Sequence, residues 1–176
     1  MKPALLARVT VASCLAAAAG AACSSDRATA PGGPELVCTA ITGEGTTVGD
    51  RDVLKGENIF QFGNEERVGQ VSVYLFEMEE LDNGRIRVPI LYQFNWDKGD
   101  AFLTEDLVVL EPGPLPDQFD FHVFMTIVSG QGIFAGLEGQ QPIVLTARIE
   151  FGPPEAPGEP RSAIEQFKVS GKICEQ

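Results

Sequence analysis

The chain has 176 residues, a formal net charge of −12 and a single histidine. That acidic balance repels phosphate backbones and no basic cluster interrupts it, which argues against nucleic-acid binding. One histidine and four cysteines with no CxxC pair leave almost nothing from which to build an imidazole or thiolate metal site, and no cofactor is expected.

The N-terminus has the layout of an export signal. Lys2 and Arg8 supply positive charge, and Val9 to Ala22 form an uncharged, alanine-rich run. That run is shorter than the roughly 20 apolar residues a membrane-spanning helix needs. Gly20-Ala21-Ala22 precede Cys23 and have the small side chains a signal peptidase requires. A cysteine in that place resembles the bacterial lipobox, in which the thiol is acylated before cleavage, although Gly20 stands where leucine is commonest. Cys14, after Val11-Ala12-Ser13, competes less well because Arg8 lies too close to it. An ordinary cleaved signal with an unmodified Cys23 is the alternative. Residues 1–22 are therefore read as a lipoprotein signal peptide. By resemblance to lipoprotein sorting, Ser24 favours the outer membrane. Stable anchoring takes two or more acyl chains, which the modification supplies.

Loss of Lys2 and Arg8 with residues 1–22 takes the formal charge from −12 to −14. Residues 23–34 are the lipidated cysteine and a Ser-, Pro- and Gly-rich flexible tether, which leaves residues 35–176 as one domain. Cys38 and Cys174 are the cysteines left to that domain, one near each end, and an exported domain with two such residues is expected to join them in a disulfide.

Along the domain the dominant signal is alternation of apolar and polar residues. It is weaker over 35–42, 56–62, 68–78 and 101–110. It is clean in Ile86, Val88, Ile90, Tyr92, Phe94 and Trp96, and again in Phe119, Phe121, Val123, Met125 and Ile127. Ile143 to Phe151 repeat it, and Phe167, Val169 and Ile173 close the series. Asp82-Asn83-Gly84 and Asp97-Lys98-Gly99 are turn sequences, and two proline-rich loops, Pro112 to Asp117 and Pro153 to Pro160, cannot extend a ladder. The pattern predicts an all-β fold. About eight antiparallel strands form one barrel or a two-sheet sandwich.

Gly130, Gly132 and Ala135 fit the loose dinucleotide fingerprint, with Glu150 at a suitable distance. That motif needs a helix opening at the glycines, and the β alternation after Pro142 leaves no room for one. The same stretch fits a second pattern. A strand at 102–110 precedes a proline-containing loop. An alternating strand then ends in G-x-G-x-F-x-G-x-x-G, carried by Gly130, Gly132, Phe134, Gly136 and Gly139, and Val169, Gly171 and Ile173 close the chain. This half of the mature chain resembles the barrel-like domain of allene oxide cyclase and the dirigent proteins. The resemblance implies an eight-stranded antiparallel barrel, closed when the first and last strands pair. The glycines are read as a structural hairpin motif in which the strand bends and Phe134 plugs the core.

No residue is assigned a catalytic role. Glu77, Glu79, Glu80 and Asp82, and likewise Asp97 and Asp100, read as solvated acidic turns, and His122 faces away from Phe121 and Val123. Phe94, Trp96, Phe121 and Phe134 are placed to line a cavity if the barrel has one, or to fill it. The expected function is non-enzymatic: a lipid-anchored envelope protein binding a small apolar ligand or a surface partner. A purely structural envelope role is one alternative, and a cyclase- or isomerase-like activity implied by the resemblance is another. The oligomeric state is left open.

If Cys23 carries the lipid, Cys23→Ala releases the protein from membrane fractions and Cys14→Ala does not. Intact-mass analysis then finds an acylated N-terminus at residue 23; an unmodified mature chain beginning elsewhere contradicts this.

Overall fold

The computed structural model describes residues 37–153 and 161–175. The signal peptide, Cys23, the tether and most of the loop from Pro153 to Pro160 lie outside them. The described chain forms ten strands. They are β1 (Val37–Asp50), β2 (Val53–Phe62), β3 (Glu65–Leu75), β4 (Glu79–Glu80), β5 (Ile86–Trp96), β6 (Ala101–Pro112), β7 (Gln118–Met125), β8 (Ile127–Gln131), β9 (Ile143–Phe151) and β10 (Ser162–Glu175). All pair antiparallel. Eight of them, β1, β2, β3, β5, β6, β7, β9 and β10, close a ring, with β4 appended to β5 and β8 to β6. The chain is thus all-β, as the alternation predicts.

Closure is made by the first and last long strands. β1 and β10 pair in unbroken register from Val37↔Glu175 to Asp50↔Ser162. Cys38 and Cys174 face each other directly in this ladder and are joined by a disulfide, with Cα atoms 4.0 Å apart. The bridge lies on the outer face, because the inward set on β1 and β10 is the odd-numbered one: Ile41 and Thr47 on one, Glu165, Phe167, Val169 and Ile173 on the other.

β1 extends well past the 35–42 predicted for it. Its later inward positions are Gly43, Gly45, Thr47 and Gly49, so it carries no apolar alternation to read. The glycines accommodate neighbouring rings. A side chain at Gly43 would overlap the Phe60 ring, one at Gly45 the tip of Phe167, and one at Gly69 on β3 the Trp96 indole. Aromatic bulk from one strand fills the space that glycine leaves on the next, which is how a narrow barrel reaches interior packing density.

The alternating run from Phe119 to Ile127 is not one strand. It breaks at Thr126, between β7 and β8, where the Thr126 N–H donates to Asp106 Oδ1 at 2.9 Å instead of to a ladder carbonyl. Across this break β6 and β7 pair at Glu111↔Asp120 and Pro112↔Phe119, and β6 meets β8 over 101–104 with a bulge between Leu103 and Thr104. The ring therefore has one wall whose middle is not laddered. The hairpin turns follow their sequences: Asn83 and Lys98 take left-handed backbone (φ 64° and 69°), each followed by a left-handed glycine.

Breaking the bridge tests closure. The sequence separation of 136 encloses nearly the whole domain, and loops of that length are worth up to about 5 kcal/mol in the chain-entropy account. Non-reducing peptide mapping should recover the Cys38–Cys174 pair, and the double change to serine should cost a few kcal/mol in denaturant titration. Two alkylatable thiols in fresh native protein would contradict the pairing.

Candidate functional site

The interior is stratified. At one end Phe60, Phe62, Phe94, Trp96, Phe102 and Phe134 form a single cluster of contacting rings, with centroids 4.6 Å apart for Phe102–Phe134, 4.7 Å for Phe94–Phe102 and 4.9 Å for Phe60–Trp96. At the other end lie Leu54, Val73, Leu75, Val88, Ile90, Val108 and Leu110, all buried. Between them runs a polar waist. Its members are Thr47, Asn58, Tyr92, Thr104, Asp106 and Glu165, from five strands and all buried.

Glu165 is the centre of the waist. Tyr92 donates its hydroxyl to Glu165 Oε1 from across the barrel, and Thr47 donates to Oε2 at 3.0 Å from the neighbouring strand. Burial pushes the Glu165 carboxyl up to about 7, against these two hydrogen bonds, which favour the carboxylate. Burial, and then the negative charge of Glu165, hold the Tyr92 phenol well above its ordinary range. Asp106 is raised by burial, opposed by the Thr126 N–H. Burial thus disfavours ionisation at all three groups, and Tyr92 and Glu165 form a hydrogen-bonded pair. Every member is at most 8% exposed, so the pair sits within packed core and not in an open cleft.

The four aromatics expected to line or fill a cavity all lie in the one hydrophobic core. Phe94, Trp96 and Phe134 belong to its ring cluster, and Phe121 is buried on β7. In the glycine motif Gly132, Gly136 and Gly139 have left-handed backbone, and Phe134 is wholly buried against Phe62, Trp96 and Phe102. Gly132 is also fixed by its surroundings, since a side chain there would strike the Asp100 carboxylate.

Asp100 corrects the sequence reading. It is not a solvated turn residue: it is 7% exposed, ion-paired with Arg67, and accepts the Ile133 N–H at 3.0 Å. Arg67, inward on β3, lies over the Phe62 ring at 4.8 Å, so this ion pair caps the aromatic end. The other acidic group is exposed as expected, with Glu79 paired to Arg87 at 2.9 Å across β4 and β5. His122 is exposed on the outer face of β7.

A second concavity lies on the outside. A groove of about 1210 Å³ crosses the outer wall of β2, β1, β10 and β9. Its floor reaches Gly45, Ala147 and Phe167, residues of the inward set. Glu44, Glu57, Arg148 and Lys168 stand around it with Ile59 and Val68, which are roughly half exposed and paired across strands. Asp120 and Arg148 form a two-pronged ion pair at its margin, 2.7 and 3.0 Å. A scan against protein-family models and a search of curated proteins found no match for this chain.

The buried carboxyl sets a pH dependence of unusual sign. A carboxyl near 4.5 in the unfolded chain and near 7 in the fold binds its proton more tightly when folded. Its contribution is fully present below about pH 4.5, falls as pH rises through 7, and totals about 3 kcal/mol. Urea midpoints should therefore decline between pH 5 and 7.5 in the native chain and flatten in Glu165→Gln. A native midpoint that is level or rises over this window, matching the variant, would contradict the assignment.

Proposed function

We propose that the chain is an exported lipoprotein, tethered to the outer membrane through Cys23, whose barrel binds a partner protein on its outer wall. The observation that carries the reading is a contrast. The aromatic interior is taken up by rings in mutual contact, while the large concavity is outside, with both charge signs and an apolar pair at its rim. A small apolar ligand inside the barrel would have to part Phe94, Trp96 and Phe134. A rim that mixes hydrogen-bonding groups with half-exposed aliphatic side chains suits a protein surface. The acidic character keeps such a domain soluble beside an anionic membrane.

A second reading is enzymatic, and one observation favours it: Glu165, Tyr92 and Thr47 group ionisable and hydroxyl side chains inside the barrel. The resemblance to allene oxide cyclase points the same way. Burial on all sides counts against it, since a substrate needs entry.

Photo-crosslinking separates the readings. A benzophenone side chain at Val68 or Gln166, outward at the groove, should give one discrete protein adduct in intact cells; the same group at Leu107, outward on β6, should give none. Arg148→Glu with Lys168→Glu should cut the adduct at least fivefold, and Tyr92→Phe should leave it unchanged. Equal labelling at all positions, or none, overturns the docking surface and leaves the structural envelope role. Loss with Tyr92→Phe alone moves the reading to the interior.

A further inference from the structure

We propose that the barrel contains a built water site between Asn58 and the Trp96 indole, bridged across Gly69. Asn58 is wholly buried on the inward face of β2, and neither its amide nitrogen nor its amide oxygen has a hydrogen-bond partner. Trp96 Nε1, also buried, has none either. These atoms are brought to one place by the register. Gly69 on β3 pairs with Asn58 on one side and with Trp96 on the other. The indole leans over the glycine, with Nε1 2.6 Å from where a Gly69 Cβ would stand.

Buried polar groups in folded proteins are almost always satisfied, by protein or by ordered water. A direct bond from the indole N–H to the Asn58 oxygen would leave the amide nitrogen without an acceptor. One water does more. It accepts from both Trp96 Nε1 and the Asn58 amide nitrogen, and keeps its two protons for acceptors nearby. The spacing suits it: the indole reaches back over Gly69, one strand spacing of about 4.8 Å from Asn58, and two hydrogen bonds of about 2.8 Å span that gap. A buried water needs two to four polar partners. Thr47 is the next inward residue after Gly45, which itself pairs with Asn58, so its hydroxyl oxygen offers a further acceptor on the way to Glu165. The ligand class is fixed by the groups: neutral, both donating and accepting, and no larger than water, since Phe167 and the indole cover the adjoining glycines.

The chain has one tryptophan, so its indole N–H gives a single resonance in a nitrogen-15 correlation spectrum. In the native protein that proton should show a cross-relaxation peak to long-lived water despite its burial, and Asn58→Leu should abolish the peak while the fold's amide spectrum is kept. A high-resolution crystal structure of the native chain provides the second measurement, and decides the matter if the leucine variant does not fold. Density within hydrogen-bonding distance of both Trp96 Nε1 and the Asn58 amide supports the site. A direct Trp96–Asn58 bond with no water, a native spectrum lacking the water peak, or a peak unchanged in Asn58→Leu overturns it.

Discussion

The pairing of β1 with β10 is the interaction on which the other features depend. It turns a meander into a ring, and it brings the ends of the domain together in the order that allows Cys38 and Cys174 to meet. It also sets Thr47 beside Glu165, because those residues share one register pair. Without that ladder the carboxyl would face solvent on an edge strand and would ionise like any other. The polar waist is thus a consequence of closure. It also acts on closure, since an ionised Glu165 destabilises the same seam.

The second constraint is steric. Inward glycines on β1 and β3 give up volume, and Phe60, Phe167 and Trp96 take it. The exchange packs the aromatic end with contacting rings, and on the outer wall the groove floor reaches Gly45 and Ala147, which flank Phe167 on either side. Gly45 and Phe167 thus belong both to the interior packing and to the groove floor, and a larger residue at 45 would strike the Phe167 ring.

Much of the fold was legible in the sequence, because β5 and β9 alternate without interruption and their turn residues are unambiguous. The length of β1 was not, since Gly43, Gly45, Thr47 and Gly49 on its inward face give no apolar signal. The break at Thr126 was hidden for the opposite reason. Met125 and Ile127 both remain in phase, and what interrupts the strand is Asp106, twenty residues away in sequence. The waist was the larger omission. Glu165 is in phase with Phe167 and Val169, Asn58 with Phe60 and Phe62, and Asp106 with Val108 and Leu110. A charged or amide residue occupying the inward phase of a strand was the available signal. It is faint, because such a residue reads as a strand end until the neighbouring strands are known. Asp100 reads as solvated on the same ground, as part of a turn sequence whose partners, Arg67 and the glycine hairpin, come from elsewhere.

The wall between β6 and β7 makes the ring closed in topology and open in energetics. With ladder pairs at one end, β8 at the other and a carboxylate turned inward between them, these strands behave as two edges laid side by side. An inward charge on an edge strand discourages pairing with foreign strands, and Asp106, which accepts the Thr126 N–H, sets a carboxyl at that unladdered stretch. Local opening is cheapest where backbone bonds are fewest. Parting therefore costs least along the stretch of β6 beside Asp106 and most along the unbroken β1–β10 ladder.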